Sequence, residues 1–116
     1  MKYFTFAIIL FIFPQLVVAA DITQCHFTFH GVNANNEIND QPYLNHTHVI
    51  AIENRIDQPT GQERIYVNFN KNGAEINEKY TQKNIGKYIA IFCNGKLLSK
   101  PRILDIIKNE VLFSIE

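Results

Sequence analysis

One continuous stretch, residues 65–101, constrains the fold of this chain more than any other part of its sequence. Residues 64–70 alternate apolar and polar side chains, which predicts a strand with one buried and one exposed face. The buried set is Ile65, Val67 and Phe69, and the exposed set is Tyr66, Asn68 and Asn70. Residues 88–93 (YIAIFC) are apolar almost throughout and predict a central strand that is buried on both faces. Because Asn94-Gly95 is a strong hairpin signal, residues 96–99 are expected to fold back on that strand.

A helix is expected between these two strands. Asn72 is the predicted N-cap, and Glu75 is its capping-box partner three residues later. Ile76 and Tyr80 lie four residues apart and give the helix a narrow apolar stripe. Gly86 then fits the left-handed position that ends a helix.

The flanking segments complete an α+β prediction. We expect strands at residues 22–30, 48–52 and 111–115, a loop at 31–42, a turn within 53–63 and one or two helical turns at 103–107. Their sum is a single small domain with an antiparallel β-sheet and one main helix packed on one face.

Residues 1–20 have the features of a secretory signal peptide. Lys2 supplies a positive charge, residues 4–13 are hydrophobic, and small residues at 18–20 predict cleavage before Asp21. The hydrophobic run is shorter than the roughly 20 residues that span a bilayer, although an uncleaved anchor remains the alternative. We therefore expect a periplasmic or secreted bacterial domain, residues 21–116, without a transmembrane segment after cleavage.

The chain has two cysteines, Cys25 and Cys93. An even count in an exported protein predicts a disulfide, and a loop of this length would contribute about 4 kcal/mol in the chain-entropy model. The alternative is a reactive thiol at Cys25, next to His26.

The charge balance argues against nucleic acid as a partner. The sequence has 11 basic and 11 acidic residues, so removal of Lys2 with the signal peptide leaves a net charge of about −1. A nucleic-acid-binding domain would instead carry a clear basic surface.

Histidines are the candidates for a metal site. His46 and His48 would share one face if they lay on a strand, roughly 7 Å apart, and His26 and His30 could join them. The spacing does not match a structural zinc site, so no metal or cofactor is expected. The sequence also lacks motifs such as G-x-S-x-G and H-E-x-x-H, and we assign no catalytic residue.

The order of motifs from Ile65 onward resembles the first periplasmic head subdomain of SecD and SecDF, membrane proteins that assist protein export. The resemblance is strongest over residues 65–103. The matching residues are Phe69, Asn72, Gly73, Ala74, Thr81, Asn84, Ile85, Gly86, Lys87, Ala90, Ile91, Gly95, Lys96, Ser99, Pro101 and Ile103. We expect most of these residues to determine the fold, since the glycines suit turns and caps and Pro101 ends a strand.

Departures from the family pattern limit what the resemblance implies. Asn94 replaces an aspartate in the hairpin, Lys100 replaces a small residue, and an aromatic residue of the helix is missing near Asn77. No segment resembling the family's transmembrane helices follows, so the proton-coupled motor is not implied. What is implied is the fold and contact with extended polypeptide.

Two functional hypotheses follow from the sequence. The first is a non-catalytic binding or accessory module that receives a protein or extended polypeptide on a sheet edge or an uncovered sheet face. Its candidate contacts are Tyr66, Asn68, Asn70 and Tyr88, and an inhibitor or immunity-type protein is a variant of it. The second is a small enzyme that depends on metal or thiol chemistry and uses His26, His46, His48 and a free Cys25.

Overall fold

The structure, a computed structural model, describes residues 22–115, and the predicted signal peptide lies outside this range. Within it the secondary structure comprises β1 Phe27–Val32, β2 Val49–Asp57, β3 Gln62–Phe69, α1 Lys71–Lys83, β4 Tyr88–Cys93, β5 Lys96–Ser99 and β6 Glu110–Phe113. Short 3-10 turns cover Ile22–Gln24 and His46–His48. The α+β class predicted from the sequence is confirmed.

The strands form two antiparallel sheets of three strands each, in the orders β1–β4–β5 and β2–β3–β6. The prediction had placed the strands in one sheet. The strands divide because β1 pairs with β4, with Phe27 opposite Cys93, and not with its sequence neighbour β2. β4 is therefore the centre of one sheet, as its apolar sequence predicts, and Ile89, Ala90 and Ile91 are buried on both of its faces.

The inner faces of the two sheets meet in one hydrophobic core. Phe29 of β1 packs edge-to-face on Phe69 of β3 with ring centroids 5.4 Å apart. Phe27 packs in the same way on Phe113 of β6 at 6.2 Å. Edge-to-face aromatic pairs stabilise a core beyond the area that they bury. The side chains predicted to line the buried face of β3, Ile65, Val67 and Phe69, all lie in this core.

Backbone conformation confirms the predicted turns around β4. Asn94 and Gly95 both have positive φ, at 50° and 84°, as a type I′ hairpin requires. Gly86 has φ of 89° after the helix, in the left-handed region that favours glycine. Residues 96–99 form β5 with the predicted bounds. Local turn chemistry thus specifies this half of the fold.

The start of the helix differs from the prediction. The N-cap is Asn70, whose Oδ1 accepts a hydrogen bond from the Gly73 N–H at 2.8 Å, and not Asn72. Asn70 has extended backbone angles, which a cap requires, whereas Asn72 already lies in the first helical turn. The buried helix residues are Gly73, Ala74, Asn77 and Thr81. Ile76 and Tyr80 flank them and are only partly buried.

Two further segments differ from the prediction. β2 extends to Asp57, through residues that were assigned to a turn, because their polar side chains lie on an exposed strand that pairs with β3. The segment after Pro101 forms no helical turns. Ile103 is instead extended and exchanges backbone hydrogen bonds of 2.7 Å with residues 86 and 87, which buries its side chain.

Four further residues of the family motif are buried, hydrogen-bonded or tightly packed within the fold. Ala90 and Ser99 are buried, and the Pro101 carbonyl accepts a hydrogen bond from the Ile89 N–H at 3.0 Å. A Cβ at Gly73 would lie 2.7 Å from the Cβ of His48, so no larger residue fits there without a shift.

Cys25 and Cys93 form the predicted disulfide, with their Cα atoms 5.1 Å apart and a sequence separation of 68. We expect the Cys25→Ser/Cys93→Ser double variant to lose about 4 kcal/mol of unfolding free energy, because the bond restricts the unfolded chain. Urea denaturation followed by circular dichroism measures this loss. Wild-type protein in reductant should unfold at the same urea concentration as the variant, and equal stability of all three samples would contradict the expectation.

Thr81 is buried and ties the helix to the segment that precedes β6. Its Oγ1 donates to the Asn77 carbonyl at 2.9 Å and accepts from the Ile107 N–H at 3.0 Å. We expect Thr81→Val to cost about 1–3 kcal/mol, since the similar shape keeps the packing but leaves the Ile107 N–H unpaired. The exposed neighbour substitution Gln82→Ala is the control for the urea measurement. A loss no larger than that of the control would contradict a structural role for Thr81.

Candidate functional site

The face of the β2–β3–β6 sheet that points away from the core is the candidate site. Since alternate residues of β3 fill the core, Tyr66 and its neighbours face outward. Cross-strand pairing places Tyr66 between Glu53 of β2 and Leu112 of β6. We call this surface the outer face, and its residues are Glu53, Arg55, Arg64, Tyr66, Asn68 and Leu112.

Arg55 is fixed in place on the outer face. Its guanidinium lies 3.9 Å above the centre of the Tyr66 ring, and its Nη2 donates to Glu53 Oε1 at 2.6 Å. The hydrogen bond from Arg55 holds the pKa of Glu53 below the usual value of a glutamate, and the same bond raises the pKa of Arg55. The cation–π contact with Tyr66 and the ion pair with Glu53 together fix the orientation of the exposed Arg55 side chain.

Arg64 has no carboxylate partner among the described residues. It lies directly opposite Arg55 across the β2–β3 pair, where like charges repel each other. Its Nε is buried and makes no hydrogen bond. A buried donor without an acceptor costs free energy. Arg64 as a whole is only partly buried and lines a surface cavity, so its guanidinium can still meet an acceptor on a bound molecule.

A shallow surface cavity of about 320 Å³ lies beside this arginine pair. Its lining comprises Arg55, Ile56, Asp57, Arg64, Tyr66 and Leu112. On the outer face the cavity therefore combines the Tyr66 ring, the aliphatic Leu112 side chain, guanidinium donors and the Asp57 carboxylate. Such a surface can pack against apolar side chains of a bound chain and donate hydrogen bonds to its carbonyl or carboxylate oxygens.

The structure separates the four contact residues that the sequence grouped together. Tyr66 and Asn68 share the outer face. Asn70 lies just beyond β3, where its side chain caps the helix and also donates to the Thr47 carbonyl at 3.2 Å. Tyr88 is half-exposed but belongs to the β1–β4–β5 sheet, so it is not beside the others as the sequence suggested.

Sequence reasoning missed Glu53, Arg55 and Arg64. The sequence predicts a turn at the first two, because few apolar residues mark the second half of β2. Their alternation with Ile52, Asn54 and Ile56 was the available signal, since charges at every second position suit the exposed face of a strand.

The histidines are arranged differently from the prediction. His46 and His48 lie in a 3-10 turn and not on a strand, and the Nδ1 of His48 accepts a hydrogen bond from the Asn45 N–H at 3.1 Å. The rings of His26 and His46 do come together, stacked with centroids 4.4 Å apart. Among residues 22–115 no group of three or more His, Cys, Asp or Glu side chains could hold a metal ion.

The reactive-thiol interpretation is wrong. Cys25 is bonded to Cys93, and the structure contains no free cysteine in the part of the chain that it describes. A disulfide sulfur is not a thiolate nucleophile, so the thiol-dependent enzyme is ruled out for this form of the protein.

A second cavity, of about 550 Å³, lies between the loop after β1 and the end of the helix. Three of its polar side chains already bond within the protein: Asn33 donates to Glu37, and Asn84 donates to the Tyr80 carbonyl. Tyr80 stacks on Tyr43 with ring centroids 3.8 Å apart, and burial raises the pKa of both phenols. We interpret this region as internal packing around the loop.

The fold and the outer face define a small α+β domain that is closed by one disulfide and presents an uncovered sheet face to solvent. The family model for the P1 head subdomain of SecDF matches residues 18–114, and the chain belongs to this family. No curated protein sequence gives a significant match.

Solved structures of SecDF share the fold. One, of the membrane component SecDF that enhances protein export, aligns with a TM-score of 0.68 and 18% identity over 78% of this chain and 55% of the other. Another, of SecDF in its super-membrane-facing form, aligns with a TM-score of 0.68 and 18% sequence identity. This alignment covers 81% of this chain and 17% of the other. The chain thus spans about half or less of each. Within residues 22–115 there is no helix long and apolar enough to cross a membrane.

The ion pair on the outer face predicts a pH response. Because the pKa of Glu53 is lowered in the folded state, its contribution to stability is present above the usual glutamate pKa of about 4.3 and is lost as the pH falls through the folded value. We expect an NMR titration of the side-chain carboxyl to give a lower midpoint for Glu53 than for the same residue in Arg55→Ala. Equal midpoints in the two proteins would contradict the ion pair.

Proposed function

We propose that this protein is an exported, non-catalytic accessory module of protein export that binds extended polypeptide on the outer face of its β2–β3–β6 sheet. The observation that carries the proposal is the outer face itself, with a fixed Arg55–Tyr66 pair beside Arg64, which has no carboxylate partner among residues 22–115. Membership of the SecDF head family supplies the context of protein export.

A location in the periplasm is supported by the disulfide. Bonds of this kind persist in oxidising compartments and are rare in the bacterial cytosol. The bond between Cys25 and Cys93 joins the segment before β1 to the end of β4, so the fold of this domain includes it as a structural link. The predicted signal peptide at residues 1–20 agrees with export.

The chemistry of the outer face suits an unfolded chain better than a small metabolite. An extended chain presents backbone carbonyls and alternating side chains, and both find partners here. Arg64 offers a guanidinium donor to a carbonyl or carboxylate, while Tyr66 and Leu112 offer apolar contact area. The shallow form of the site favours sequence-tolerant contact, because deep pockets for particular side chains are what give peptide recognition its specificity.

Binding can be measured with a permanently unfolded probe. We suggest a reduced, carboxymethylated and fluorescently labelled protein, titrated with the purified domain and followed by fluorescence anisotropy. Tyr66→Ala/Asn68→Ala should weaken binding at least about tenfold, because the aromatic contact and one amide are removed from the centre of the face.

Tyr88→Ala is the control, since Tyr88 is an exposed tyrosine in the other sheet. It should leave the affinity unchanged. An equal loss in both variants would place binding elsewhere, and no binding of the unfolded probe by the wild-type protein would refute the proposal.

A further inference from the structure

The outer edge of β2 is an unpaired strand edge. β2 has nine residues, and its backbone bonds only to β3 on one side and to the following turn, within the described residues. Proteins protect such edges with short strands, bulges, prolines or charged side chains, lysine above all. A bulge at Ile50 disrupts one end, but residues 51–57 contain neither proline nor lysine. This seven-residue edge is therefore free to pair with another strand.

The sequence of this edge is complementary to itself about Asn54. If a second copy of β2 runs antiparallel with Asn54 opposite Asn54, Glu53 lies opposite the partner's Arg55, and the reverse pair forms by symmetry. Ile52 likewise lies opposite the partner's Ile56. Of the seven directly opposed pairs along residues 51–57, two match opposite charges on the outer face and two match apolar side chains on the inner face, while Asn54 meets Asn54 and each Ala51 meets an Asp57.

Neighbouring registers are less favourable. Directly opposed residues lie on the same face of a sheet. The inner faces of both copies therefore stay on one side only if the two-fold axis lies midway between a residue and its own copy. An axis at Glu53 would oppose two glutamates, and an axis at Arg55 would oppose two arginines. Like charges in directly opposed positions are destabilising.

An exposed isoleucine of β2 also favours pairing with a second copy of this strand. Ile56 lies on the inner face of the sheet but beyond the core, and 61% of its surface is exposed. In the register centred on Asn54 the partner's Ile52 would pack beside it. Strand addition would thus cover an isoleucine that the single chain leaves in water.

We propose that two copies of this protein pair through β2 to form one continuous sheet of six strands, in the order β6–β3–β2–β2–β3–β6. Two-fold dimers, in which the same surface of each copy forms the interface, are the commonest homo-oligomers of soluble proteins. The outer faces of the two copies would then be contiguous. The inference rests on β2 alone and does not require the proposed binding of polypeptide.

The test is the oligomeric state of the protein expressed from its full-length sequence, measured by sedimentation velocity over a range of concentrations. We expect a reversible dimer. Glu53→Arg and Arg55→Glu should each weaken dimerisation by about tenfold or more, since each replaces two attractive pairs by two repulsive ones. Glu75→Arg, the same charge change on an exposed position of α1, should leave it unchanged.

Mixing the two single variants distinguishes self-pairing from loss of folding. A chain with arginine at both positions and a chain with glutamate at both positions are complementary, so the mixture should form a heterodimer although each alone is weakened. The doubly exchanged variant Glu53→Arg/Arg55→Glu should dimerise again. A wild-type protein that stays monomeric up to about 1 mM would overturn the proposal, as would single variants that dimerise as well as the wild type or a mixture that gains nothing.

Discussion

Packing between the inner faces of the two sheets is the interaction on which the rest of this structure depends. The two sheets share no strand, so the contacts of Phe27 and Phe29 with Phe113 and Phe69 are what join them into one core. A domain of this size buries a small core, and small domains in oxidising compartments commonly need a further covalent link. Here the Cys25–Cys93 bond holds β1 against β4, which keeps both phenylalanines of β1 in place.

Because the inner face of the β2–β3–β6 sheet packs in the core, its other face remains as the candidate site. Each residue that β3 contributes to the core leaves its neighbours on the opposite face, and no described element covers that face. The helix does not cover it, because its buried residues pack on the core side, where Gly73 meets His48 and Phe69 and Thr81 bonds Ile107. The outer face is therefore the surface on which polar and aromatic residues can change without any effect on the core.

The sequence predicted those parts of the fold that local chemistry determines. β4, the Asn94-Gly95 turn and β5 were predicted correctly because turn glycines and an uninterrupted apolar run act over a few residues. The end of β2 and the extended segment around Ile103 were not, because their conformation depends on pairing with distant strands. The same reason explains the candidate site: Tyr66 and Asn68 follow from the alternation of β3, whereas Arg55 joins them only through cross-strand pairing.

The motif residues determine the fold of this protein, whereas the outer face is the surface of its proposed function. Gly73 has no room for a side chain, Gly86 and Gly95 have positive φ, and Thr81 bonds two segments together, so each of them specifies shape. A family can keep such positions while the rest of the sequence changes, which is consistent with a TM-score of 0.68 at only 18% identity. The residues of the outer face satisfy no comparable demand of the backbone. The proposed binding role rests on Arg55, Arg64 and Tyr66, and variants of these three residues test that role separately from the fold.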